Sequence, residues 1–176
     1  KGGQPVLKIV DIRQAIRDIV KFNLAGSNVA PHFDIPDDLW PVTADIGQLA
    51  QVIANLTINA KESMPDGGNI HVKAQNISNM RLDTLPEAQG DFVKLSFKGE
   101  GAGIPADIID KIFQPYFTTK KEGGGLGLAI THGIISRHKG HIHIDSTPGK
   151  GTIITLFLPV DAKKRKPDAA EKIARR

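Results

Sequence analysis

Cysteine is absent from the 176 residues, which excludes disulfide frameworks, thiolate metal sites and cysteine nucleophiles. Aromatic residues are few, with one Trp, one Tyr and seven Phe. No basic face interleaved with aromatics is visible, so nucleic acid is not an expected partner. No apolar run approaches the ~20 residues that span a bilayer, and the opening KGGQPVLKIV lacks the apolar segment of a secretory signal. A P-loop is excluded because GxxxxGK[ST] does not occur; GKGT at 149–152 lacks the required gap. No strand is followed by GxGxxG in a βαβ setting, and no internal repeat is present.

What is present reads as a globular protein, with 40% hydrophobic and 24% charged residues. The length suits one domain. The net charge of +4 is confined to the end of the chain: residues 161–176 hold seven Lys/Arg against three Asp/Glu, and the rest is neutral. The tail DAKKRKPDAAEKIARR therefore reads as a solvated terminus or linker.

Helical spacing runs through residues 10–24, with apolar Ile12, Ile16, Ile19, Val20 and Leu24, and through 46–64, with Leu49, Val52, Ile53, Leu56 and Ala60. Thr43 or Asp45 can cap the second helix, and PDGG terminates it. Residues 28–35 and a run near Val42 suit two strands joined as a hairpin through PDDLWP. A second hairpin is expected from 69–77 and 91–98, separated by a polar loop over 79–90. ADIIDKIF is a short helical pattern, 126–138 a longer one, and 141–146 with 152–159 a closing hairpin around TPGKG. This order predicts an α+β fold, a two-layer α/β sandwich with a mixed, mostly antiparallel sheet of about five or more strands covered on one face by helices.

Three segments could carry chemistry. Asn55 and Asn59 lie one turn apart on the long helix, where asparagine is a poor interior residue unless its amide has a task. An amide oxygen can ligate Mg²⁺ without adding negative charge beside a polyphosphate; a solvent-edge position for both is the alternative. Glycines at 99, 101 and 103 let backbone approach a flat ligand. GGGLGL at 123–128 precedes a helix whose free N–H groups suit phosphate oxygens; a plain glycine linker would look similar. Between them PYFTTKK offers Tyr116, Phe117, Thr118, Thr119 and Lys120 as a mobile lid.

NLTINAKESM, GEGAGIP, IFQPYFTTK, GGGLGLAITHGI and TPGKGTIITLFLP, in that order, resemble the N box, first glycine box, F box, second glycine box and final GxGT of the catalytic ATP-binding domain of sensor histidine kinases. The resemblance covers residues 10–159, with 1–9 as a linker remnant, 10–160 as the domain and 161–176 as a basic tail. It implies the Bergerat fold, holding ATP and Mg²⁺ between the N-box helix and the lid. On this resemblance Asn59 is the Mg²⁺ ligand, with Asn55 its partner. Gly99, Gly101, Gly103 and Ile104 form the first glycine box at the adenine, and Phe113 and Phe117 the F box. Thr118, Thr119 and Lys120 are similar to a short-lid, nitrogen-regulation type, with Lys120 on phosphate. Gly123, Gly125, Leu126, Gly127 and Leu128 form the second glycine box, and Thr152 the GxGT.

Hydrolases of the superfamily carry a glutamate base four residues before the magnesium asparagine. Here that residue is Asn55, so the resemblance implies phosphoryl transfer by positioning and charge stabilisation, with Asn55 and Lys120 as the catalytic pair. Glu62, three residues after Asn59, reads as structural or solvent-facing. The implied acceptor is a histidine on a dimerisation hairpin of the same full-length protein, followed by a response regulator. No such hairpin precedes Val10, and none of the six histidines sits in an acceptor motif. The expectation is therefore a monomeric, cytoplasmic domain, or the cytoplasmic part of a membrane-bound sensor, that binds nucleotide without phosphorylating itself. His141 and His143 alternate on a strand without a third metal ligand nearby, and His132 suits packing or capping. A degenerate, non-catalytic module of the same fold and a serine kinase of the anti-sigma type remain alternatives.

The family's first glycine box begins with aspartate, as DxGxGIP, accepting a hydrogen bond from the adenine amino group. Gly99 stands there instead, and Glu100 is a poor substitute because adjacent residues point differently. The loss implies a cost on the order of 1.5–3 kcal/mol in nucleotide binding and weaker selection of adenine over guanine.

Overall fold

The computed structural model describes residues 3–82, 85–119 and 125–161. Its elements in chain order are β1 (Lys8–Val10), α1 (Arg13–Leu24), β2 (Val29–Asp34), β3 (Val42–Ala44), α2 (Ile46–Glu62), β4 (Gly68–Leu82), β5 (Leu85–Gly99), a 3₁₀ turn (Ile109–Lys111), α3 (Gly127–Arg137), β6 (His141–Thr147) and β7 (Gly151–Pro159). Five strands form a mixed sheet in the order β2-β4-β5-β7-β6, and β1 pairs with β3 in a separate two-stranded ribbon. Among the described residues β2–β4 is the one parallel pairing. No helix among the described residues is long and apolar enough to cross a membrane.

Strand alternation decides which face is covered. Ile70, Val72 and Ala74 of β4 and Val93, Leu95 and Phe97 of β5 are buried, while the intervening His71, Lys73 and Lys98 are exposed. Against this face pack Ile16, Val20 and Leu24 of α1, Leu49, Val52, Ile53 and Leu56 of α2, and Ile134 and Ile135 of α3, as one core. Each of these side chains contributes about 1.5–3 kcal/mol by leaving water. The two-layer sandwich expected from the sequence is thus the fold.

Four local expectations need correction. Strands β2 and β3 are not a hairpin: β2 lies parallel to β4, and β3 pairs antiparallel with β1. The cause is the intervening turn, where the Trp40 N–H donates to Asn76 Oδ1 at 2.8 Å and Asn76 Nδ2 donates to the Asp38 carbonyl at 3.0 Å. Those bonds tie PDDLWP to β4 and carry the chain across instead of back. Second, strand pairing continues into 79–90, where a polar loop was expected. Asn79 takes a left-handed φ of 47° and donates its N–H to Asp91 Oδ1 at 3.0 Å. The resulting bulge lets Met80 bury against Phe92 and Phe157. Third, ADIIDKIF yields only the 3₁₀ turn, since a segment between Pro105 and Pro115 is too short to repay helix nucleation. Fourth, Lys8 and Ile9, expected within a linker remnant over 1–9, and Val10, expected to open the first helix, form β1.

Candidate functional site

The second helix begins where Asp45 caps it. Its Oδ1 accepts the N–H groups of Gly47 at 3.0 Å and Gln48 at 3.2 Å, while Oδ2 accepts the Val6 N–H at 2.9 Å. These contacts, the Val6 N–H foremost, hold the Asp45 carboxyl below the ordinary carboxylate range. Thr43, the other expected cap, lies in β3. With Leu49, Val52, Ile53 and Leu56 committed to the core, Asn55 and Asn59 face the edge of a cavity of about 530 Å³.

The cavity is two-ended. At one end Asn55 and Asn59 meet Thr118, Thr119, Gly125 and Gly127. Asn55 Nδ2 donates to the Gly127 carbonyl at 3.2 Å, which ties α2 to the first residue of α3. A Cβ at Gly127 would lie 3.9 Å from Asn55 Cγ and 4.0 Å from Asn59 Nδ2, so both amides stand against that helix start. The N-cap residue Leu126 offers no side-chain hydrogen bond, and no acidic residue sits in the first turn of α3. Among the described residues no side chain caps the positive end of this helix, which suits an anion entering the cavity. Phe117 and Leu128 also line this side.

At the other end the walls are apolar. Phe97 and Ile154 come from the sheet and Ala60 from α2, and Ile104, Ile108 and Ile112 add further apolar lining. The floor is the cross-strand pair Gly99 and Thr152. Ser146 Oγ accepts the Ile104 N–H at 2.8 Å and donates to the Gly151 carbonyl at 3.1 Å, leaving Thr152 Oγ1 to donate to it at 2.7 Å. With its hydrogen so committed, Thr152 presents an acceptor.

The glycines differ in what they do. Gly103 has φ +77°, and a Cβ there would lie 2.3 Å from the Thr147 carbonyl oxygen; Gly125 has φ +65° and would meet the Tyr116 backbone at 2.6 Å. Both are required by conformation and by close approach. Gly101 packs on Ser63, where a Cβ would fall 2.4 Å from Oγ. Gly99 is neither strained nor crowded: a Cβ would rest 3.5 Å from Ala60 Cβ and 3.7 Å from Met64 Cε.

Glu100 points away from the cavity and does not line it. Its Oε2 accepts Asn69 Nδ2 at 3.0 Å and the Asn69 N–H at 3.2 Å, and Oε1 lies 3.6 Å from His71 Nε2. The Asn69 amide above all holds the Glu100 carboxyl below its ordinary value. His71 stacks on His32, ring centres 4.9 Å apart, and the Nε2–H of His32 donates to Asn69 Oδ1 at 2.8 Å.

Of the residues singled out in the sequence, Asn55, Asn59, Gly99, Gly103, Ile104, Phe117, Thr118, Thr119, Gly125, Gly127, Leu128 and Thr152 line the cavity. Gly101, Phe113 and Leu126 do not; the Phe113 ring sits 5.4 Å from His132 instead. Lys120 and Gly123 lie outside the described residues, as does the tail from 162. Glu62 is exposed and also borders the cavity. Sequence reading missed the apolar walls: Phe97 and Ile154 show only as alternating strand residues, and Ile108 and Ile112 as a failed helix. No group of three His, Asp or Glu among the described residues is placed to hold a metal.

The family model described as histidine kinase-, DNA gyrase B- and HSP90-like ATPase matches residues 44–162. The sensor kinase CckA of Brucella abortus is 41% identical over 172 residues, covering 94% of this chain and 18% of that protein. Sporulation kinase E of Bacillus subtilis is 38% identical, covering 89% and 20%. The sensor histidine kinase ZraS of Escherichia coli is 37% identical, covering 92% and 33%. The chain spans between about a fifth and a third of the length of these curated relatives. Among solved structures, the nucleotide-free catalytic domain of the histidine kinase ThkA superposes with a TM-score of 0.73 at 28% identity, covering 90% of this chain and 99% of that one. Full-length ShkA in complex with AMPPNP gives a TM-score of 0.74 at 21% identity over 91% of this chain and 32% of that one, a likeness of fold.

Proposed function

The chain belongs to the histidine kinase-, DNA gyrase B- and HSP90-like ATPases, and from that premise we propose that its cavity positions Mg-ATP for transfer of the γ-phosphoryl group to a histidine on a separate helical hairpin. The observation that carries this reading is the bond from Asn55 to the Gly127 carbonyl, which brings an amide-bearing helix face and a helix N-terminus without a side-chain cap among the described residues to one end of a cavity whose other end is apolar. A base fits the apolar end, and the N–H groups that open α3 fit the phosphates.

The residues present suit a hard cation. Amide oxygens of Asn55 and Asn59 offer uncharged ligation beside a polyphosphate, with Asn59 the ligand and Asn55 holding the helix start. Mg²⁺ there supplies charge neutralisation along the triphosphate. Thr118 and Thr119 border the same end, and Lys120 follows them in sequence as the cation for phosphate. Asn55 has no useful basicity, so the position from which a hydrolase activates water is inert. The Glu62 carboxylate lies one turn further along α2 than Asn59, toward the apolar end. The domain acts in the cytoplasm, with a dimerisation hairpin of its full-length protein and a response regulator as partners, in line with relatives that are named sensor kinases.

Calorimetry with Mg-ATP, followed by incubation with γ-labelled ATP and a histidine-bearing hairpin, tests the reading. Saturable binding and label on histidine are expected. Release of inorganic phosphate without label on the hairpin would assign the site to hydrolysis instead.

A further inference from the structure

The base end of the cavity has an acceptor and a vacancy side by side. Thr152 and Gly99 are directly paired across β7 and β5, so they address the same face of the sheet. Thr152 Oγ1, its hydrogen taken by Ser146, accepts; Gly99 occupies no space beyond its backbone. Around Gly99 stand the Ala60 methyl and Met64 Cε, where an added Cβ would make ordinary contact, and the residue has no positive φ. The adjacent carboxylate in the chain, Glu100, is turned outward onto Asn69 and His71. The recess beside Gly99 is therefore walled by the apolar Ala60 and Met64, while Glu62 borders the cavity from α2.

Given the reading of the cavity as a nucleotide site, on which this rests, we infer that Gly99 sets base specificity: the recess accepts adenine nucleoside triphosphates carrying a small alkyl group on the exocyclic nitrogen. A monosubstituted amine keeps one N–H, which Thr152 can accept. Its alkyl group then enters the space over Gly99 against Ala60 and Met64, leaving water at no cost to any polar group. Any side chain at 99 fills that space. An aspartate fills it and also restores an acceptor for an unsubstituted amino group.

The test is calorimetry on the whole chain with Mg-ATP and with Mg-N6-propargyl-ATP, repeated on Gly99→Ala and Gly99→Asp after melting curves show both variants folded. The substituted nucleotide is expected to bind the natural chain at least as well as ATP. Both variants should shift the ratio of the two affinities toward ATP by about tenfold or more, the cost of overpacking a filled recess. The alanine variant isolates the space from the missing acceptor, because it adds volume without charge. Weaker binding of the substituted nucleotide to the natural chain by about tenfold, or a ratio that neither variant moves, overturns the inference while leaving the nucleotide site intact. Binding of neither nucleotide to the natural chain or to Gly99→Asp removes the nucleotide site itself, and the recess with it.

Discussion

The backbone N–H of Asp45 donates to Nε2 of His138 at 3.0 Å, across 93 positions of sequence. Because that nitrogen accepts, Nδ1 carries the hydrogen and donates to the Ile134 carbonyl at 2.8 Å. One buried imidazole, 2% exposed, thus joins the start of α2 to the end of α3, away from the residues that line the cavity. Replacing His138 by Ala removes both bonds and leaves a void, at a cost of about 2–4 kcal/mol. The melting temperature should fall by about 2–4 °C per kcal/mol, measured by calorimetry, while nucleotide affinity of the folded fraction changes little.

Acid should attack the same junction. Asp45 and Glu100 both have carboxyls below their ordinary values, through the Val6 N–H and the Asn69 amide respectively. A depressed carboxylate stabilises the fold above its unfolded value and loses that contribution as pH falls through its folded value. Stability should therefore decline from the ordinary carboxylate range downward. Asp45→Asn should be the less stable protein near neutrality, and its melting temperature should converge on that of the natural chain as pH falls below the ordinary carboxylate range. Parallel curves at constant separation would contradict this account.

Asn55→Ala should weaken Mg-ATP binding by about tenfold or more, with a stability loss of about 0.5–1.5 kcal/mol from the bond to Gly127. Asn55→Asp should be worse for binding, since its carboxylate faces both a carbonyl and the triphosphate. Calorimetry gives the order directly, and an aspartate variant that binds better than the alanine variant would break it.

The first glycine box should respond unevenly. Gly103→Ala forces a side chain at φ +77° into the Thr147 carbonyl, costing about 1–3 kcal/mol. Gly99→Ala meets only ordinary contact and should melt within about 1 °C of the natural chain or above it. Equal losses at both positions would mean that the loop is held by something other than its backbone.

How much of this was legible without coordinates depends on the range of the interaction. The apolar stripe of α2, the cap choice between Thr43 and Asp45, and the pairing of two asparagines on one face follow from spacing along one helix. The same holds for the glycines that a tight turn demands, and for the absence of an acid at 99. What failed was long-range. PDDLWP looked like a hairpin turn until Asn76, from another strand, took its backbone groups. The 79–90 stretch looked like a loop until Met80 found Phe92 and Phe157.

By itself, then, the sequence determined the ordered motifs, the amide face of α2 and the vacancy at Gly99, because each is a matter of residue type and local periodicity. Only the tertiary structure decided that Glu100 turns outward onto Asn69, that Thr152 is the neighbour of Gly99, and that His138 locks α2 to α3. Those depend on strand register and on which distant group reaches an unsatisfied donor or acceptor first, and neither is written in the spacing of nearby residues.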